Sequence, residues 1–201
     1  MTQLWTMRLT STFDAANTAL AARTSRVLER YAAAPARHAR FLNTLSMLEH
    51  MGCRKIVLTQ PGRMLRHVAE EARHAWFFQR QAGKLSADAG YAAPAAARMY
   101  FQRLDATVTQ SVGPDPLPYL YVSTLIELRA VWLYRLYAGV KGAPPLKTVL
   151  GEEDSHLADM AAQLPDSPEA LCGAEQRLFG RLLDAFEQDL DGELAGALTE
   201  A

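Results

Sequence analysis

Residues 69–75 read AEEARHA, and residues 151–157 read GEEDSHL. Each stretch places a glutamate three positions before a histidine: Glu71 with His74, and Glu153 with His156. On an α-helix, residues three apart lie on one face about one turn from each other, so each pair can serve a single metal ion. With twelve glutamates and five histidines in 201 residues, composition alone predicts about 0.3 such pairs. Two pairs, each preceded by a further glutamate (Glu70 and Glu152), are a pattern rather than a coincidence.

Working outward, one more glutamate precedes each pair within an apolar stretch. Glu49 lies in NTLSMLEHMG (43–52) and Glu127 in VSTLIELRAV (122–131). The chain therefore reads Glu, Glu-x-x-His, Glu, Glu-x-x-His, with a repeat of 78 residues between Glu49 and Glu127 and of 82 between Glu71 and Glu153. Helical stripes run through all four positions. They are Leu42, Leu45, Glu49, Gly52 and Ile56; Met64, Val68, Glu71, Ala75 and Phe78; Leu120, Thr124, Glu127, Val131 and Tyr134; and Val149, Glu153, Leu157 and Met160. Each stripe carries a glutamate where a bundle core would hold leucine. Unpaired buried carboxylates are costly, and two divalent cations would balance four of them.

The rest of the chain reads as helix, with abundant alanine and prolines at element starts. Helices are expected over about 12–33, 35–58, 61–84, 91–112, 117–138, 144–164 and 169–198, with GPDPLP (113–118) the clearest break. The fold class is all-α. A core of about residues 36–162 forms four helices, and the segments 12–33, 91–112 and 169–198 add N-terminal, crossover and C-terminal helices to a single domain, 1–201.

Composition narrows the function classes. At 22.2 kDa, with 49% apolar and 21% charged residues, the chain can bury a core without staples. Cys53 and Cys172 form no CxxC pair, which excludes disulfide scaffolds, zinc ribbons and rubredoxin-type centres. No apolar run reaches the length of a membrane span, and the N-terminus lacks a secretory pattern, so the expected compartment is the cytoplasm. Residues 1–100 hold 14 basic against 6 acidic side chains, and residues 101–201 hold 7 against 16. The simplest account is that the two halves pair with each other; an anionic partner such as RNA is the alternative.

The motif set resembles the ferritin-like di-iron carboxylate superfamily, which includes rubrerythrins, bacterioferritins, aldehyde-deformylating oxygenases and a tRNA hydroxylase. The resemblance covers about residues 36–162 and implies an antiparallel four-helix bundle holding two metals. It implies that Glu49 and Glu127 each bind one metal, that Glu71 and Glu153 bridge, and that His74 and His156 are terminal ligands. The implied cofactor is a pair of iron ions, with manganese or a mixed pair fitting the same donors. The implied activity is oxidation by dioxygen or peroxide, foremost hydroxylation or oxygenation of a small organic substrate with an external electron donor. A ferroxidase or peroxidase without organic substrate is the chemical alternative, and a helical scaffold the non-enzymatic one. No membrane partner is expected, and a homodimer is the default assembly. The absence of a rubredoxin domain and the extra helices depart from the simplest members.

Neighbouring residues carry lesser expectations. Glu70 and Glu152 should point about 100° from their ligand neighbours and be solvated or salt-bridged. His67, four before Glu71, reads as a surface or interhelical histidine, with support of Glu71 as the alternative. Tyr134 reads as core packing, with a role as redox relay or hydrogen-bond donor as the alternative. His50 should point off the core. His38 carries no special expectation. Cys53 should be a small buried residue, and Trp76, Trp132, Phe77 and Phe78 should pack.

Overall fold

A computed structural model describes residues 2–59, 65–112 and 117–199, with the side chains of residues 2–5, 59, 117 and 193–199 excepted. Among the described residues there are seven α-helices and no strand. They are α1 (Thr2–Ala32), α2 (Pro35–Thr59), α3 (Leu65–Leu85), α4 (Pro94–Val112), α5 (Leu117–Ala138), α6 (Lys147–Ala161) and α7 (Glu169–Thr199). The chain is all-α, as its periodicity indicates.

Four boundaries differ from the sequence reading. Helix α1 starts ten residues earlier, at Thr2 rather than Thr12. The Thr10 and Ser11 hydroxyls donate to the carbonyls of Thr6 and Met7 at 3.0 and 2.9 Å, so residues that resemble a cap sit inside the helix. Helix α4 starts at Pro94, not at 91. Ala93 before it has φ 41, and Ala92 is held off by Thr44, which donates to the Ala92 carbonyl at 2.8 Å and accepts its N–H at 2.9 Å. Helix α6 starts after Pro144-Pro145, because a residue before proline is driven from the helical region. It ends at Ala161, where the N–H groups of Gln163 and Leu164 turn back to the carbonyls of Met160 and Ala161. The expected start of α3 at Pro61, and the stripe residue Met64, lie outside the described residues.

The chain forms two compact units, one of residues 1–25 with 99–181, the other of 26–98 with 182–201. In the first, α5 packs against α6. Helix α5 is buried on nearly every side, with Val122, Leu125, Leu128, Val131 and Trp132 all in the core. Among them, two residues beyond the buried Glu127, sits the Arg129 guanidinium. It makes two bonds to Glu175, Nε–Oε1 at 2.8 Å and Nη2–Oε2 at 2.6 Å, and Nη2 also donates to Asn17 Oδ1 at 2.7 Å. The Tyr100 hydroxyl donates to Glu175 Oε1 at 2.6 Å. The guanidinium lies over the Phe179, Trp132 and Phe13 rings at 3.9, 4.6 and 4.7 Å. Glu175 is wholly buried, so its charge is tolerable only through these partners.

In the second unit α2 packs against α3. Its aromatic centre is Tyr31 stacked on Phe41 at 5.1 Å, both edge-on to Phe186 at 5.7 Å. The Tyr31 hydroxyl donates to Asp189 Oδ2 at 3.0 Å, and Arg40 pairs with the other oxygen of the same carboxylate. The basic first half of the chain thus meets acids of the second: Arg40 with Asp189, Arg30 with Asp191 and, in the first unit, Arg8 with Glu169. No helix among the described residues is long and apolar enough to cross a membrane.

Candidate metal centre

Each unit carries buried glutamates and histidines of the kind that hold metal. In the second unit the cluster stands on α2 and α3. Glu49 comes from α2, and Glu71 and His74 from α3; each offers one donor atom, and these atoms lie within 4.8 Å of one another. The hairpin is pinned on both sides of Glu49. Ser46, three residues before it, donates to the Ala75 carbonyl at 2.7 Å, and the Cys53 thiol, four after it, approaches the Val68 carbonyl at 3.6 Å. Between them, Gly52 makes room for Glu71: a Cβ there would stand 2.9 Å from Glu71 Oε2. The other oxygen of Glu71 meets His67, with Nε2 at 3.0 Å from Oε1. Burial, with the nearby Glu71 charge, pushes the Cys53 thiol up to about 11.

In the first unit Glu127 comes from α5, and Glu153 and His156 from α6. His156 Nδ1 stands 3.5 Å from Glu153 Oε2 and 4.0 Å from Glu127 Oε2. These separations are too long for good N–H···O bonds. They suit donors sharing one ion, since two ligands at about 2.1 Å from a metal can be up to about 4.2 Å apart.

All six predicted ligands are buried, from 7% exposed at Glu49 to 1% at Glu153. The chemistry of the donors fits a hard or borderline divalent metal: carboxylate oxygen and imidazole nitrogen, with no thiolate among them. Each hairpin by itself offers two carboxylates and one imidazole from its Glu/Glu-x-x-His set, so each can neutralise one dication.

The flanking residues are placed in part as expected. Glu70 is salt-bridged, to Arg66 Nε at 2.9 Å and Arg73 Nη2 at 3.5 Å. It is not solvated, however; it is buried. Glu152 is half-buried and His50 exposed. Tyr134 is buried, in keeping with core packing. His38 is buried, and burial lowers its pKa. Cys53 is half-buried rather than buried. Trp132 and Phe78 are core residues and Phe77 is half-buried, but Trp76 is not packed. It is 60% exposed with the Arg80 guanidinium 5.2 Å above its ring.

His67 is the residue that sequence reading undervalued. It is no surface histidine: it is buried and bonded to a predicted ligand. The available signal was its position, four residues before Glu71 on the stripe that also carries His74. The Arg129–Glu175 pair was not anticipated at all. Comparison with protein-family models, with curated proteins and with solved structures finds no match.

Proposed function

We propose that the chain is a di-iron carboxylate oxidoreductase of the ferritin-like kind, its ligands supplied by the α2–α3 and α5–α6 hairpins. The set Glu49, Glu71 and His74 and the set Glu127, Glu153 and His156 together hold two metal ions. The observation that carries this reading is the repetition: one ligand set, in one helix order, buried in two separate hairpins. A scaffold would be free to place leucine at each of these positions, and four buried carboxylates without cations would be strongly destabilising.

In this reading Glu49, Glu71 and His74 would hold metal from the one hairpin, and Glu127, Glu153 and His156 from the other, as the resemblance implies. When bound, an iron pair supplies two electrons to dioxygen or peroxide, and an external reductant restores them. The protein's own part is to fix donors and keep water out. The carboxylates balance a rise in metal charge, since hard oxygen donors favour the more oxidised ion. Burial of all six side chains limits solvent access and keeps these interactions strong. Manganese, or a mixed pair, fits the same donors.

Hydroxylation or oxygenation of a small organic substrate is the leading activity. Helices α1 and α7, of 31 residues each, go beyond the four helices that carry the ligand set, and this favours an enzyme over a simple ferritin. The test is oxygen uptake by protein loaded anaerobically with two ferrous ions per chain and supplied with a reductant. Sustained uptake faster than by free ferrous iron, and lost in Glu71→Ala and Glu153→Ala, is expected. Uptake no faster than by free iron would refute the enzyme reading. A single burst leaving ferric mineral would favour a ferroxidase.

A further inference from the structure

Helix α3 carries three buried metal-type side chains in register, and helix α6 carries two. His67, Glu71 and His74 are spaced by four and three residues, and all are buried. His67 and His74, seven apart, fall within about 20° of each other around the helix and so flank Glu71 from one turn below and one turn above. In α6 the residue four before Glu153 is Val149, also buried, which has no donor atom. The two hairpins repeat their carboxylates but not this imidazole.

The His67–Glu71 contact has the dimension of shared coordination. Nε2 and Oε1 are 3.0 Å apart. Two donors bound at about 2.1 Å and at right angles to each other are separated by about 3 Å. Glu71 is also constrained from its other oxygen, because only a glycine at position 52 leaves Oε2 its space. The nitrogen therefore faces a carboxylate that has little freedom to turn away.

The geometry points to His67 as a seventh metal ligand, contributed by the α2–α3 hairpin alone, which makes the two metal positions chemically unlike. This rests on the metal-centre reading above and goes beyond its six ligands. A second imidazole replaces water or carboxylate on one ion, so that ion carries a more nitrogen-rich shell than the other. An unequal pair gives its ions different affinities and different reduction potentials.

Full-length protein loaded with iron-57 tests this by Mössbauer spectroscopy. The wild-type diferric protein should give two quadrupole doublets of equal area. In His67→Val and His67→Gln alike, one doublet should shift, and one of the two ions should bind at least about tenfold more weakly. Glutamine keeps an N–H at the reach of Nε2, so it preserves a hydrogen bond to Glu71 but not a ligand. A wild-type spectrum from His67→Gln would therefore overturn the proposal and leave His67 as a hydrogen-bond donor. A single doublet in the wild type would overturn it too. Should neither variant fold, nitrogen couplings in the half-reduced wild-type iron pair decide: three coupled imidazoles are expected, and two would refute it. Failure of the wild type to bind iron at all would instead refute the metal centre itself.

Discussion

The α2–α3 and α5–α6 hairpins present one pattern of buried Glu and His on two different supports. In α2–α3 the support is polar and local. Ser46 and Cys53 reach across to α3 carbonyls on either side of Glu49, Gly52 yields space to Glu71, and Glu70 is clasped by arginines of its own helix. In α5–α6 the support is burial. Helix α5 is enclosed on nearly every face, and its Arg129, two residues beyond Glu127, is anchored in a wholly buried cluster with Glu175, Asn17 and three aromatic rings. The spacing of the ligands is common to both hairpins, whereas nothing that holds them is. The Glu/Glu-x-x-His spacing is shared, and packing is solved separately each time.

The largest expected effects equalise the two hairpins. Glu71→Ala and Glu153→Ala should each abolish binding of the metal pair, read as metal per chain after anaerobic loading. Glu70→Ala should leave metal content nearly intact. Equal losses in all three would break the assignment of helical phase in both hairpins.

The next effect separates them. Arg129→Met strands Glu175 in the core of the first unit and should cost about 3–5 kcal/mol in urea unfolding. Arg129→Met combined with Glu175→Met should recover most of this. Arg40→Met removes a half-buried partner of Asp189 in the second unit and should cost about 1 kcal/mol or less. Similar losses from Arg129→Met and Arg40→Met would mean that the two units are supported alike.

Smaller effects sharpen the contrast within the second unit. Gly52→Ala gains up to about 1 kcal/mol of helix propensity but forces Glu71 to shift, at about 1–3 kcal/mol. It should weaken metal binding about tenfold, read by competition with a chelator. Ala130→Gly, at the equivalent position of α5, should cost about 1 kcal/mol of stability and leave the metals unaffected. Ser46→Ala should cost about 1 kcal/mol by removing one bond between α2 and α3.

The smallest effect is on pH dependence in the first unit. Burial and the Glu175 and Glu169 charges push the Cys172 thiol from 9.0 up to about 11. The native state therefore holds this proton longer than the unfolded chain does, and stability falls as pH rises from about 9 to 11. Cys172→Ala should flatten that part of the pH profile, measured as the difference between variant and wild type.

The burial of the six candidate ligands was legible because helical periodicity alone fixes which side chains share a face. Glu49, Glu71, His74, Glu127, Glu153 and His156 all stand mid-stripe, and all are buried. The helix start at Pro35 follows from local chemistry of the chain and agrees with the structure. Other features depend on partners that no spacing rule connects. Arg129 and Glu175 are 46 residues apart, and each alone looks like an ordinary helix charge. His67 is ambiguous for a subtler reason: its position marks the right face, but its bond depends on where Glu71 turns, and that depends on Gly52. Trp76 failed because an exposed arginine one turn along can shelter an indole without a core around it.

The most direct test of the account is metal content per chain, by plasma mass spectrometry, on protein purified without chelator or affinity metal and again after anaerobic ferrous loading. The account predicts close to two iron or manganese ions per chain, and none in Glu71→Ala. A wild-type value near zero in both preparations would contradict it, and would mean that the buried glutamates of both hairpins are satisfied without metal.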